Sequence, residues 1–194
     1  MGLWVYFLIG WITLWWVLAQ LYFPNGYSIF NDFISAMGNP NKNPAGHLFF
    51  DIGTFIAGVL IIPFFYYLKA KLNVNKFGLT YVIAGIIGCV GFMLVGSFQE
   101  HMTGLHEFAA ITAFGGFSVS AFFLLIDLIR KKRWSTVISI YWIYILLLII
   151  MLIVPCIEGI YKYPYKPGEI FSSLQEWIFM ANIVFWLINL YIFI

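Results

Sequence analysis

Residues 145–154 read Ile-Leu-Leu-Leu-Ile-Ile-Met-Leu-Ile-Val, a run without a polar interruption. A membrane β-strand alternates polar and apolar residues over short segments, so this run favours a helix. Six apolar runs of this kind are long enough to cross about 30 Å of hydrocarbon at about 1.5 Å per residue. They cover residues 3–23, 47–68, 78–98, 105–129, 137–155 and 174–194. We therefore predict an all-α integral membrane protein, a six-transmembrane-helix bundle.

The composition excludes a soluble protein. Apolar residues make up 63% of the 194 residues and charged residues 9%, whereas soluble domains have about 45–50% and about 25%. Six spans leave too little chain for a second domain, so residues 1–194 are predicted to form a single transmembrane domain. The run 3–23 is too long for a signal-peptide core. The net charge of +2 gives no case for nucleic-acid binding, and Cys89 and Cys156 match no metal or redox spacing.

The basic residues predict the orientation, because cytoplasmic loops retain Lys and Arg. Lys69, Lys71 and Lys76 lie between spans two and three, and residues 130–133 form an Arg-Lys-Lys-Arg cluster between spans four and five. We therefore expect both termini in the cytoplasm, with the chain in the cell membrane. Asp127 is expected to pair with the start of the basic cluster. The other acids then lie at or near the outer side: Asp32, Asp51, Glu100, Glu107, Glu158, Glu169 and Glu176.

Two kinds of helix are predicted. Spans two, three and four carry small residues at four-residue spacing, which lets helix backbones approach closely in a membrane. The pairs are Gly53/Ala57, Thr54/Gly58, Ala84/Gly88, Ala109/Ala113 and Thr112/Gly116. We expect these spans at the centre, with spans three and four forming a tight hairpin through residues 99–104. Spans one, five and six carry large side chains such as Trp186 and are expected to face lipid.

A cluster of polar residues at the outer ends of the central spans is the candidate site. His47 and Asp51 lie four residues apart on one helix face. The turn between spans three and four brings Glu100, His106 and Glu107 to the same membrane level. A carboxylate nearly one turn inside a span is costly unless it is paired or hydrated, which makes Asp51 a functional candidate.

Three interpretations of this cluster stay open. The first is a pocket for a lipid head group, without a metal ion. Its candidate ligand-binding residues are Ser35, Asn39, Asn43, His47, Asp51, Glu100, His106 and Glu107. The second is a zinc site using His47, Asp51 and His106, although no His-Glu-x-x-His spacing occurs. The third is a set of ordinary interfacial residues that cap helices and meet head-group water.

The segment 24–46 between the first two spans is long for a plain connector. Pro24-Asn25-Gly26 predicts a turn, and residues 27–37 predict a short amphipathic interfacial helix that ends at Gly38-Asn39-Pro40. This amphipathic segment would lie on the outer side of the bundle, either as a lid or as a plain cover over apolar helix ends.

Two stretches carry a resemblance to a known family. Phe33-Ile34-Ser35-Ala36-Met37-Gly38-Asn39-Pro40, followed by Asn43-Pro44 and Phe49-Phe50, resembles the Ser-x-hydrophobic-Gly-x-Pro outer segment of the Frag/DRAM-like membrane proteins and their uncharacterised prokaryotic relatives. Val95-Gly96-Ser97-Phe98-Gln99-Glu100, with His106 before Ala109-Ala110 and Phe114, is similar to that family's second signature. This is a Gly-x-Phe-x-Glu turn followed by a histidine-led span.

The resemblance implies a six-helix bundle with both termini in the cytoplasm, and it implies lipid handling rather than a defined reaction. The positions that match the family pattern are Ser35, Gly38, Pro40, Glu100 and His106. The His47/Asp51 pair lies outside the pattern, so the resemblance adds nothing to the zinc interpretation.

Our leading hypothesis is a membrane protein that binds or organises membrane lipids through a polar pocket at the outer ends of spans two to four, without catalysis. One alternative is an intramembrane metal-dependent lipid hydrolase that uses the histidines and acids of the cluster, with zinc as cofactor. Another is a structural subunit of a larger membrane complex, whose partners would be other membrane subunits.

Overall fold

The fold is all-helical in a computed structural model that describes residues 2–72, 75–76, 78–131 and 173–193. The helices are α1 (Gly2–Leu21), α2 (His47–Lys71), α3 (Leu79–Ser97), α4 (Thr103–Arg130) and α5 (Ser173–Phe193), with a short 3-10 helix at Ile34–Gly38. No strand occurs in the described ranges, which confirms the all-α prediction there. The predicted span 137–155 lies outside the described residues.

Helices α1 to α4 are each long and apolar enough to cross a membrane. Their outward faces carry large exposed apolar side chains, among them Leu14, Ile52, Ile83 and Ile111. Such a surface suits hydrocarbon and not water. These features indicate an integral membrane protein. The apolar stretch of α5, Glu176–Ile188, is shorter, so the count of six spans stays a prediction.

The centre of the bundle is formed by α2, α3 and α4, as the small-residue pattern predicted. A Cβ atom built on Gly116 of α4 would lie 2.6 Å from the Cα atom of Gly88 in α3. A Cβ atom on Gly58 of α2 would lie 2.7 Å from the carbonyl oxygen of Cys89 in α3. The backbones therefore touch without intervening side chains. Cys89 is a free, fully buried thiol, as expected of a small apolar residue.

Helix α1 packs along α2 through its indole groups. Trp4 Nε1 donates a hydrogen bond to the carbonyl of Leu60 at 3.0 Å, and Trp11 Nε1 donates to the carbonyl of Gly53 at 3.1 Å. Leu60 lies three residues before Pro63, which lies inside the continuous helix α2 and lacks the N–H group of a normal helical residue. Neighbouring helices commonly satisfy the backbone groups near such a proline.

The prediction that Trp186 faces lipid is wrong. Its side chain is 2% exposed, and its ring packs 6.1 Å from that of Phe65 on α2. The aromatic composition of α5 was assigned to the lipid side because Trp is common at membrane interfaces. In the structure α5 instead supplies part of the core, through Phe179, Met180, Ile183, Trp186 and Leu187.

The two ends of the bundle differ in chemistry. At one end, named here the polar end, residues 22–46 join α1 to α2, and α5 begins where Ser173 Oγ donates to the carbonyl of Phe30 at 2.8 Å. At the opposite end, Lys131 Nζ contacts Asp127 at 2.8 Å, which confirms the predicted local ion pair. The structure contains no membrane, so the cytoplasmic orientation stays a prediction.

Candidate functional site

The connecting segment at the polar end differs from the predicted amphipathic helix. Only Ile34–Gly38 is helical, and all five of its residues are buried instead of lying along a surface. Upstream, the Asp32 carboxylate accepts a hydrogen bond from the Ser28 amide at 2.9 Å. Such local side-chain bonds to the backbone compete with helix formation. The turn predicted at Pro24-Asn25-Gly26 is present, with positive φ angles at Asn25 (61°) and Gly26 (84°).

Asn43 holds three elements together at the polar end. Its side-chain Nδ2 donates to the carbonyls of Ala19 in α1, at 2.9 Å, and Met37 in the 3-10 helix, at 3.0 Å. Its Oδ1 accepts from the amide of Gly46, just before α2, at 3.1 Å. The side chain is fully buried and engaged by backbone groups. Asn43 therefore acts as an internal connector and has no free group to offer a ligand.

We expect Asn43→Ala to lower the free energy of unfolding by about 2 kcal/mol, because buried carbonyl and amide groups lose their partners. Asn41→Ala is the matched control, since Asn41 is exposed and bonds through its backbone amide only. Thermal unfolding in detergent, followed for both variants, measures the difference. Equal melting temperatures for the two variants would show that the buried bonds contribute nothing.

Glu100 joins the α3–α4 turn to the connecting segment. Its carboxylate accepts a hydrogen bond from Asn39 Nδ2 and forms an ion pair with Lys42 Nζ at 2.9 Å. Asn39 Oδ1 in turn accepts from the amide of Asn41 at 2.9 Å. The side chains of Asn39, Lys42 and Glu100 are therefore each engaged in a hydrogen bond or an ion pair within this group.

Asp51 is held by the end of α3. Gln99 Nε2 donates to Asp51 Oδ2 at 2.9 Å, whereas Asp51 Oδ1 is buried without a hydrogen-bond partner. A Cβ atom on Gly38 would lie 2.6 Å from that oxygen, so only glycine fits there without a shift. The Nδ1 atom of His47 lies 3.3 Å and 3.2 Å from the carbonyls of Asn43 and Pro44.

The zinc interpretation gains no geometric support. His47, Asp51 and His106 all belong to the described residues, and within these ranges no three His, Cys, Asp or Glu side chains are grouped to hold a metal ion. Glu107 is half-buried near the start of α4 and does not line the cleft described next.

A small cleft, with about 20 Å³ of space for the centre of a water-sized sphere, lies at the polar end of the bundle. All five α-helices and the 3-10 helix contribute to it. Its walls are mostly apolar, and its polar groups come from four side chains. The lining residues are Trp16, Ile34, Ser35, Phe50, Thr54, Phe92, Val95, His106, Ala110, Phe114, Glu176 and Met180.

The four polar side chains of the cleft differ in how they are satisfied. The Ser35 amide and hydroxyl donate to Glu176 Oε2 over long distances of 3.5 Å each. Thr54 Oγ1 has no hydrogen-bond partner although the residue is 2% exposed. His106 Nδ1 lies 2.6 Å from the carbonyl of Phe98. A carbonyl only accepts, so Nδ1 carries the proton, and Nε2 is the acceptor of the neutral ring.

A second contact fixes α5 beside the cleft. Trp177 Nε1 donates to the Tyr27 hydroxyl at 2.8 Å, and that hydroxyl donates to the carbonyl of Asp32 at 3.0 Å. Burial raises the pKa of Tyr27, so the hydroxyl keeps the proton that this second bond requires. Glu176 is adjacent to Trp177 in the chain, so these bonds also position its carboxylate.

A family profile matches residues 7–192, which include almost all of the described helices. The chain belongs to the DUF998 family of proteins of unknown function. DUF998 membership agrees with the expectation of an uncharacterised family and does not support the Frag/DRAM-like name. No curated protein and no solved structure matches this DUF998 chain.

Two cleft residues of this DUF998 protein were missed by the sequence reasoning. Glu176 was counted among the outer acids, but 141 residues separate it from Ser35 and nothing in the sequence joins them. An acid in the first turn of an apolar helix is itself a signal of function, and it could have been used. Thr54 was taken as a packing residue because it lies four residues before Gly58.

Proposed function

We propose that this DUF998 protein binds a membrane lipid in the cleft, with the head group at the polar end and apolar chain against the walls. The observation that carries the proposal is the buried, unpartnered hydroxyl of Thr54, a residue in the lining of an otherwise mostly apolar cleft. Mostly apolar walls with a few convergent polar groups are the usual composition of a small-molecule site. A site with apolar walls and a few polar groups suits an amphiphilic ligand. Because the surrounding helices are apolar enough to span a membrane, membrane lipids are the amphiphiles that this site would meet.

The proposal narrows the predicted ligand-binding set. Ser35 and His106 line the cleft and remain in it, joined by Thr54 and Glu176. Asn39, Asn43, Asp51 and Glu100 bond mainly to one another or to neighbouring backbone and side-chain groups, and they frame the site. His47 and Glu107 do not line the cleft and are left out of the proposed contacts.

A substitution that fills the cleft tests the proposal. Ala110→Phe places a ring where a half-buried methyl group now lines the cleft. We expect it to reduce lipid retained by the purified protein by at least about tenfold, or about 1.4 kcal/mol of binding free energy. Native mass spectrometry of protein released from lipid nanodiscs measures the retention.

Ile111→Phe is the matched control, because Ile111 is the next residue of α4 and its side chain is 54% exposed on the outward face. It should retain lipid as the unsubstituted protein does, and both variants should unfold at similar temperatures. If Ala110→Phe folds normally and retains as much lipid as Ile111→Phe, lipid binding in the cleft is excluded.

A further inference from the structure

Resting on the proposed function, we propose that the cleft selects lipids whose head group carries a primary ammonium, of which phosphatidylethanolamine is the common membrane representative. Three residues that line one cleft point to this class of lipid. Glu176 supplies a carboxylate, and Thr54 and His106 each supply a further hydrogen-bond acceptor.

The charge of the cleft favours a cation. Glu176 is the acidic side chain among the described residues that line it, and no Lys or Arg belongs to that set. Within the described ranges the recorded ion pairs are Lys42 with Glu100 and Lys131 with Asp127, so neither involves Glu176. Its contacts there are the neutral amide and hydroxyl of Ser35, at 3.5 Å. An ammonium group would stabilise the ionised form of this carboxylate, which burial disfavours.

The hydrogen-bonding groups favour a primary ammonium over other cations. An –NH₃⁺ group has three donors and no acceptor. Three residues that line the cleft carry acceptor atoms: the Glu176 carboxylate, Thr54 Oγ1, which has no partner, and the Nε2 atom that remains after His106 Nδ1 donates to Phe98. A buried hydroxyl without a partner costs free energy, and an ammonium at this position would remove that cost.

Two other head-group classes meet an obstacle in the same cleft. A glycerol head group has no cation to balance its phosphate, so it would bring net negative charge beside Glu176, and no Lys or Arg belongs to the described lining. A choline head group is cationic and would contact the aromatic side chains of Trp16, Phe50 and Phe114 favourably. It has no N–H donor, however, so its cationic group cannot donate a hydrogen bond to Thr54 Oγ1, His106 Nε2 or the Glu176 carboxylate.

The test is competition between lipids with identical acyl chains. The protein is reconstituted in nanodiscs with equal amounts of phosphatidylethanolamine, phosphatidylcholine and phosphatidylglycerol, and the retained lipid is identified by native mass spectrometry. We expect phosphatidylethanolamine to exceed each of the other two by about tenfold, the scale of a hydrogen bond to a charged group. Glu176→Gln should reduce that preference to near equality, because the amide keeps the shape and loses the charge.

Two further variants separate the contributions. Thr54→Val keeps the branched shape without the hydroxyl and should lower the preference over phosphatidylcholine while keeping the discrimination against phosphatidylglycerol. Glu107→Gln alters an acid at the same end of the bundle but outside the cleft, and should leave the preference unchanged.

The outcomes distinguish this inference from the proposed function. Lipid retention that depends on the cleft but shows no head-group preference, or prefers choline or glycerol, overturns the ammonium inference and leaves lipid binding intact. Retention that Ala110→Phe does not reduce overturns lipid binding in the cleft and the inference with it. If Glu176→Gln fails to fold, the lipid series on the unsubstituted protein and on Thr54→Val still decides.

Discussion

Gly116→Ala is expected to lower the free energy of unfolding by about 3 kcal/mol, because overpacking at a closed helix interface forces backbones apart. The added methyl group would lie 2.6 Å from Gly88 Cα and 2.9 Å from the Ala84 carbonyl oxygen. Both are backbone atoms, so no side-chain rotation relieves the contact. Equilibrium unfolding in a detergent mixture measures the loss.

The adjacent residue provides the control for this prediction. A Cβ atom on Gly115 meets nothing within 4 Å. Gly115→Ala should therefore keep or slightly raise stability, since Ala is favoured over Gly in a helix interior by roughly 1 kcal/mol. A pair of variants with equal stability would mean that α3 and α4 are not in backbone contact at this position.

Lys131→Met is expected to destabilise the protein by about 3 kcal/mol, because it removes a charged hydrogen-bond donor from a buried carboxylate. The Asp127 side chain is buried and bonds Lys131 Nζ at 2.8 Å. The same nitrogen donates to the carbonyl of Leu72 at the end of α2, at 2.9 Å. The substitution thus leaves a buried carboxylate and a helix-terminal carbonyl without their donor.

Two measurements make this prediction specific. Lys71→Met removes an exposed positive charge from the end of α2 and should change stability by less than about 1 kcal/mol. Adding Asp127→Asn to Lys131→Met should recover part of the loss, because no buried charge is left unpaired. A double variant as unstable as Lys131→Met alone would contradict the ion-pair explanation.

Features that depend on neighbouring residues were predicted well from the sequence. The bounds of α1 to α4 follow from runs of apolar residues, and the close packing of α2, α3 and α4 follows from small residues four apart. The α3–α4 hairpin also follows, because residues 98–102 are too few to let the two helices separate. Local composition determines each of these features.

Features that depend on distant contacts were not predictable in this way. The polar end was located, but the sequence does not say that Glu100 would bond Asn39 and Lys42 and that Asp51 would bond Gln99. Several acceptors at one level compete for few donors, and only packing decides between them. A pocket was predicted at this end, but its lining by Glu176 and Met180 was not, since that depends on where α5 docks.

The position of α5 also has a consequence for biosynthesis. Domains emerge from the ribosome with the N-terminal part first, so α1 to α4 are made before the helix that carries Glu176 and Met180. Those two residues form part of the cleft lining. The cleft is therefore incomplete in every nascent chain that ends before α5, and a lipid bound there, as proposed, would mark chains in which α5 has docked.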